Sequence, residues 1–135
     1  MLKKLKYAAA VAALSLLAAC GGGGGGDAEQ VQKYGAIATQ QENSGAIGIG
    51  VGHSTQSLAN AAAISQCRSQ AVITINCFVR QEFSGLQRCG AIARGTNFLI
   101  GWATAESNSA AETAAVANCA ARGGINCFAE QSACN

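Results

Sequence analysis

The stretch Gly90-Ala91-Ile92-Ala93 repeats an earlier stretch of the same chain, Gly35-Ala36-Ile37-Ala38. Three more pairs follow in the same order: Ile49-Gly50 with Ile100-Gly101, 62–67 (AAISQC) with 114–119 (AAVANC), and 75–78 (INCF) with 125–128 (INCF). The number of residues between matching positions changes only from 55, between Gly35 and Gly90, to 45, between Cys89 and Cys134, which close the two units. Chance can produce one such match among alanines and glycines, but not an ordered set. Residues 34–88 and 89–135 are therefore predicted to be two copies of one unit.

Each copy is predicted to fold as β-β-α-β. The strands are expected at 35–39, 45–52 and 73–80 in the first copy, and at 90–94, 97–104 and 124–129 in the second. These segments combine short apolar runs with glycines, which is typical of strands. The resulting fold class is α+β, with two tandem repeats in one small disulfide-linked domain over residues 34–135.

An alanine-rich helix is predicted between the second and third strands of each copy. Apolar or small residues recur at every third position and predict one helical face. These residues are Leu58, Ala61, Ile64 and Cys67 in the first copy, and Ala110, Thr113, Val116 and Cys119 in the second. Ser109 and Glu112 fit a capping box, and Ser57 holds the place of Ser109 in the first copy. Gly123-Gly124 suits the end of the second helix.

The folded part contains six cysteines, and an even number in an exported chain indicates three disulfides. They are Cys67, Cys77, Cys89, Cys119, Cys127 and Cys134. Free thiols or a zinc site are the alternatives, but the chain has no C-x2-C pair and only one histidine. Six cysteines allow 15 pairings. Spacing across the helix-to-strand reversal favours Cys67–Cys77 and Cys119–Cys127, which leaves Cys89–Cys134 to tie the junction of the copies to the C-terminus. Disulfides would also compensate for a core built largely of alanine.

This combination resembles the family called domain of unknown function 4189. The features it shares are the Gly35-Ala36-Ile37-Ala38 strand, an alanine-rich helix that ends in cysteine, a cysteine in the next strand, and the repetition of all three. The resemblance spans residues 34–134. It implies export and disulfides, and it supplies no catalytic residues.

The N-terminus resembles that of a bacterial lipoprotein. Lys3, Lys4 and Lys6 precede an apolar run over residues 7–19, and Leu17-Ala18-Ala19-Cys20 resembles a lipobox. Residues 1–19 are therefore predicted to be a signal peptide, and Cys20 to carry the lipid, including palmitate. A transmembrane anchor is the alternative, but it needs about 20 apolar residues, and the run has 13 (positions 7 to 19).

Residues 20–33 are predicted to be a flexible tether, because six glycines follow Cys20. The oligoglycine resembles the tether of surface-exposed lipoproteins of some Gram-negative bacteria. Gly21 stands where an aspartate would resemble an inner-membrane retention signal. This comparison implies that the lipid anchors the protein to the outer membrane, on its periplasmic or its surface face.

The charge pattern argues against nucleic-acid binding. After cleavage, six positive and seven negative side chains remain, which gives a net charge of −1 (6 − 7). The signs alternate along the chain and form no basic stripe. No cofactor or metal site is expected.

A catalytic site would have to use His53, the only histidine. It could act as a general base beside Ser54 or Ser57, as in a small hydrolase-like enzyme. The simpler interpretation is an exposed loop histidine. The glycines of residues 48–52 superficially resemble a phosphate-binding loop, but they lack its lysine and its spacing.

The favoured function is a non-catalytic binding module whose partner is a protein or an envelope polymer. An inhibitor or immunity protein is its more specific form, and the hydrolase-like enzyme centred on His53 is the alternative. Phe78 and Phe128 hold the same place in the two copies and point away from the neighbouring cysteines if the strands alternate. Together with Trp102 they are predicted to form an aromatic binding patch. Burial between two sheets or two protomers is the other interpretation.

Overall fold

The computed structural model describes residues 31–40, 45–71 and 76–135. These residues form the elements β1 (Tyr34–Thr39), β2 (Ile47–His53), α1 (Gln56–Ser69), β3 (Phe78–Ser84), β4 (Cys89–Arg94), β5 (Ile100–Ala105), α2 (Asn108–Ala121) and β6 (Phe128–Cys134). The predicted α+β class with two β-β-α-β units is therefore confirmed. The predicted signal peptide, Cys20 and the tether up to residue 30 lie outside the described residues.

Each copy forms an antiparallel sheet of three strands with its first strand in the middle. The strand orders are β2-β1-β3 and β5-β4-β6. Gly48 pairs with Ala38, and Gly101 pairs with Ala93, the equivalent strand position. Ile47-Gly48 is thus the true counterpart of Ile100-Gly101, and the predicted match with Ile49-Gly50 was wrong by two residues. The loop before β2 is longer than the loop before β5, and this difference in length shifts the sequence alignment of the two copies.

The helices lie close to the sheets because the second strand of each copy carries glycine beneath the helix. A β-carbon on Gly48 would lie 2.2 Å from the carbonyl oxygen of Ala63, and one on Gly101 would lie 2.2 Å from the backbone nitrogen of Cys119. Such contacts are too short for any side chain. Only residues of small volume on the facing side of the helix fit this distance.

The buried helical faces differ from the predicted ones. In α1 the buried residues are Ala59, Ala63 and Cys67, and in α2 they are Ala111, Ala115 and Cys119. Both sets recur at every fourth position. Leu58, which was predicted to be on the buried face, is 52% exposed. The close approach of helix and sheet selects alanine and turns the larger leucine outward.

The helix caps also lie two residues earlier than predicted. Thr55 caps α1 and Ser107 caps α2, and their hydroxyl oxygens accept hydrogen bonds from the backbone N–H groups of Leu58 and Ala110. Ser57 and Ser109 lie within the first turns instead. Glu112, predicted to complete a capping box, accepts a hydrogen bond from the hydroxyl of Ser132 on β6.

The end of α2 was predicted correctly. Gly123 follows the C-cap residue Arg122 and has a φ of 91°. This left-handed conformation favours glycine and ends the helix.

The six cysteines form three disulfides with the predicted pairing: Cys67–Cys77, Cys89–Cys134 and Cys119–Cys127. Two of them join the last turn of a helix to the residue before the next strand. The third strands begin directly after these cysteines, at Phe78 and Phe128, which is five and four residues later than predicted; residues 72–75 of the predicted first-copy strand lie outside the described residues.

The two sheets pack face to face, and a third apolar core lies between them. Its buried residues are Ile37, Ile47, Ile49, Phe83, Ile92 and Ile100. The other two cores lie between each helix and its own sheet. The order of layers is therefore α1, first sheet, second sheet, α2, which buries both faces of each sheet.

Candidate functional site

The two ends of the sandwich can be told apart by the chain segments that meet there. At one end the backbone oxygen of Lys33 accepts hydrogen bonds from Gly85 and from the C-terminal Asn135. At the other end the guanidinium of Arg94, the last residue of β4, donates to the backbone oxygen of Gly45. We call the end at Lys33, where the predicted tether would enter, the N-terminal pole. The opposite end, where β1 and β4 finish, is the distal pole.

A cluster of aromatic and guanidinium groups lies towards the distal pole. The guanidinium carbon of Arg80 on β3 is 5.9 Å from the ring centroid of Phe78 and 5.6 Å from that of Trp102 on β5. The guanidinium carbon of Arg122, at the end of α2, lies 4.5 Å from the same Trp102 ring. Phe78, Arg80, Trp102 and Arg122 therefore form a chain of cation–π contacts across both sheets, which we call the arginine–tryptophan cluster.

Contacts with the core and hydrogen bonds fix the orientation of the cluster's side chains. Trp102 packs against the core between the sheets, and its backbone N–H donates to the side chain of Asn118. Arg80 donates from Nε to the Thr39 hydroxyl at 2.9 Å and from Nη2 to the backbone oxygen of Gln40 at 3.2 Å. Beside the cluster, the Gln81 amide donates to the hydroxyl of Thr104 on the other sheet. Its side chains are thus oriented before any partner arrives, which lowers the entropic cost of binding.

The two copies carry different residues at the positions equivalent to Arg80 and Trp102. Glu130 occupies the position of Arg80, and Ile49 that of Trp102. Glu130 forms an ion pair of 2.6 Å with Arg94. The cluster takes Arg80 from the first copy and Trp102 from the second, and the residues at the two equivalent positions do not repeat it.

The structure brings together two of the three aromatic residues predicted to form a patch. Phe78 and Trp102 both contact Arg80. Phe128 lies on β6, at the opposite edge of its sheet from β5, which carries Trp102. Phe78 and Phe128 are 45% and 50% exposed.

Sequence reasoning did not single out Arg80, Arg122 or Phe83. Phe83 is an aromatic residue of the core between the sheets. The difference between Arg80 and Glu130 at equivalent repeat positions was the one signal that could have pointed to the cluster.

A second exposed feature of the distal pole is the turn between β4 and β5. Phe98 is 60% exposed and has a φ of 68°, a conformation that is unusual for a bulky residue. The side chain of Asn97 holds this turn by donating to the backbone oxygen of Gly123 and accepting from the N–H of Ile125. Ile125 is itself 56% exposed. The turn therefore presents apolar side chains on a fixed backbone.

His53 is the last residue of β2, at the N-terminal pole and opposite Tyr34 in the sheet register. It is half-buried, so the prediction of an exposed loop histidine was wrong. Ser54 is exposed, and Ser57 is exposed in the first turn of α1. The corresponding strand position in the second copy holds Ala105. His53 is thus not part of the repeated architecture.

In the ranges 31–40, 45–71 and 76–135, no group of three or more histidine, cysteine, aspartate or glutamate side chains could hold a metal ion. No helix within these ranges has the length and apolar character needed to cross a membrane.

Comparison with known proteins identifies one family. A family model described as a domain of unknown function (DUF4189) matches residues 34–134. The matched range contains all the strands, both helices and the three disulfides. No curated protein and no solved structure matches the chain.

Proposed function

The chain belongs to the family of the domain of unknown function DUF4189, and from this premise we propose that it is a lipid-anchored, non-catalytic binding module of the bacterial cell envelope. In this proposal Cys20 carries the lipid, residues 20–33 form the tether, and the folded domain binds a partner protein. The outer membrane is the proposed location. An inhibitor or immunity protein is the more specific form of the same proposal.

The observation that supports a binding role best is the arginine–tryptophan cluster. Tryptophan and arginine are enriched at the energetic centres of protein interfaces, where rigid, amphipathic side chains lose little entropy on binding. Here both residue types are held together by contacts with the core and with neutral oxygens. The cluster lies towards the pole opposite the proposed tether, so a partner can reach it without interference from the anchor.

The half-exposed Phe78 gives the sharpest test of the binding surface. We expect Phe78→Ser to cost less than about 1 kcal/mol of stability, because the ring is not buried, and to abolish capture of the partner. The matched control is Phe128→Ser, which makes the same change at the same repeat position outside the cluster. Melting and chemical crosslinking in cells would be measured together, with the full-length protein. Equal capture by the wild type and Phe78→Ser would contradict the proposal.

Trp102→Ser serves as a second variant with a different expectation. Trp102 packs against the core, so the substitution should lower stability by about 2–4 kcal/mol as well as remove binding. If Trp102→Ser unfolds the domain while Phe78→Ser still binds the partner, the aromatic residues belong to the core and do not form a binding surface.

The anchor has its own test. We expect Cys20→Ala to abolish lipidation completely and to leave the protein uncleaved or released from the membrane, because the cysteine sulfur is the acylated atom. Metabolic labelling with a radioactive fatty acid, followed by fractionation of the cells, measures both effects. Ser57→Ala, at an exposed position of the folded domain, is a suitable control because it changes neither the lipobox nor a disulfide. Label retained by the Cys20 variant would exclude this anchor.

A further inference from the structure

We infer that the arginine–tryptophan cluster recognises an acidic segment of the partner protein, in which a carboxylate binds Arg80 and an adjacent apolar side chain packs on Phe78 and Trp102. This inference rests on the proposed binding function and specifies the chemistry of the partner.

The first argument is the distribution of charge between the two halves of the domain. Among the described residues, the distal half carries the arginines 68, 80, 94 and 122 and one carboxylate, Glu130, which gives 4 − 1 = +3. The half towards the N-terminal pole carries Lys33, Arg88, Glu82, Glu106 and Glu112, which gives 2 − 3 = −1. Residues 41–44 are outside this count. The described part of the distal half is thus positively charged, which favours an acidic surface.

The second argument is that the hydrogen-bond partners of Arg80 are neutral. Both of its hydrogen bonds to described residues go to neutral oxygens, those of Thr39 and Gln40. Its positive charge is therefore not balanced by a carboxylate among these residues, in contrast to Arg94, which binds Glu130. A guanidinium has five N–H donors in a fixed plane, so donors remain for a carboxylate after these two bonds.

The third argument is the chemistry around that charge. Phe78 and Trp102 provide aromatic faces within 6 Å of the guanidinium carbon of Arg80. A free inorganic anion would use the charge alone and gain nothing from these rings. A peptide segment with neighbouring acidic and apolar side chains uses both, because the rings offer apolar area next to the charged group.

The fourth argument separates a protein partner from a bilayer. Anionic lipid headgroups also attract arginine and aromatic residues. With the proposed anchor, however, the bilayer lies on the side of the N-terminal pole, and the tether has a typical reach of about 20 Å. A seven-residue strand such as β3 alone spans about 23 Å between the poles. The tether does not fix the orientation of the domain, but the distal pole is the end farthest from the point where the tether attaches, which favours a partner other than the anchoring membrane.

Trp102 provides a direct probe, since it is the only tryptophan of the chain. The full-length protein in mild detergent would be titrated with three soluble ligands while Trp102 fluorescence is recorded. The first is a short peptide of alternating glutamate and leucine. The second is its twin with glutamine in place of glutamate, and the third is dihexanoyl phosphatidylglycerol, a soluble anionic lipid. We expect the glutamate peptide to bind about tenfold more tightly than its twin, as for one charge-assisted contact, and to weaken as salt is added.

Two variants that each remove one positive charge test whether the preference for the glutamate peptide depends on Arg80. We expect Arg80→Gln to reduce binding of the glutamate peptide to the level of the glutamine twin. Arg88→Gln, at the N-terminal pole, should change it by less than about twofold, because the site is far from the added carboxylate. Melting curves of both variants exclude an effect of misfolding.

The other outcomes overturn the inference in distinguishable ways. Equal binding of the two peptides would leave the binding module intact and remove its preference for acidic segments. Tighter binding of the lipid would assign the cluster to a headgroup. No binding of any ligand would also overturn the inference, while crosslinking of the Phe78 variant would still decide the proposed function separately.

Discussion

Replacing both Cys89 and Cys134 with alanine is expected to destabilise the domain by about 4 kcal/mol, more than the loss of either other disulfide. In the chain-entropy description, a disulfide stabilises the fold by restricting the unfolded chain, and the effect grows with the length of the closed loop. Cys89 and Cys134 are 45 residues apart, whereas the other two pairs are 10 and 8 residues apart. The shorter loops correspond to about 2.5–3 kcal/mol each.

The position of this disulfide in the fold supports the same ranking. Cys89 opens β4 and Cys134 closes β6, and the two residues pair directly in the sheet. The bond therefore joins the first and last strands of the second copy. Without it, the C-terminal strand is held by its hydrogen bonds and by the contacts of Asn135 with Lys33 and Gly85.

Denaturant unfolding under non-oxidising, non-reducing conditions would measure the three double variants side by side. The pairs Cys67/Cys77 and Cys119/Cys127, each replaced by alanine, are the internal controls, because they remove the same atoms with a shorter loop. A Cys89/Cys134 variant as stable as either control would contradict the loop-length explanation. It would also show that the contacts of Asn135 are sufficient to hold β6.

The repeat and the disulfide pairing could be predicted because both depend on spacing along the chain. Two copies of one unit must fold alike, so a cysteine near the end of each helix and one before the next strand have the same geometry twice. The packing of one sheet on the other could not be predicted in the same way. The copies bury their first strands on both faces, and no local pattern indicates what covers the second face.

The helical faces were mispredicted for a physical reason. In an alanine-rich helix several faces are similarly apolar, so the sequence favoured the one with the largest side chains, Leu58 and Ile64. Burial instead depends on the space left by the sheet, and that space is set by glycines on another element. The residues that fit are Ala59 and Ala63, which the periodicity of large apolar residues does not mark.

The aromatic members of the site were predictable, and its charged members were not. Phe78 stands out because it recurs in both copies, and Trp102 because it is unique. A lone arginine in a strand usually extends into solvent, and nothing local marks Arg80 as an exception. What sets Arg80 apart is its contact with Trp102, which lies on the other sheet and 22 positions later in the sequence (102 − 80).

The second large effect is expected at the glycines beneath the helices. Replacing Gly101 with alanine should destabilise the domain by about 2 kcal/mol or more, and Gly48→Ala should do the same in the first copy. An alanine in place of a strand glycine normally adds about 0.5–1 kcal/mol of stability. Here the new β-carbon would lie 2.2 Å from backbone atoms of the helix, at Cys119 or at Ala63. Backbone atoms cannot rotate away, so the helix must move outward and lose its contacts.

The test is decisive because a loss of stability is expected where Gly→Ala in a strand normally gives a gain. Ala129→Val, at an exposed position of β6 on the opposite edge of the same sheet, is the control for added volume at an uncovered site, and it should change stability by less than about 0.5 kcal/mol. Thermal unfolding of all three variants would be compared under oxidising conditions, so that the disulfides remain intact. If Gly101→Ala were as stable as the wild type, α2 could not lie as close to β5 as the structure places it. Since the same distance explains why alanine rather than leucine faces the sheet, that result would overturn the account of both helices.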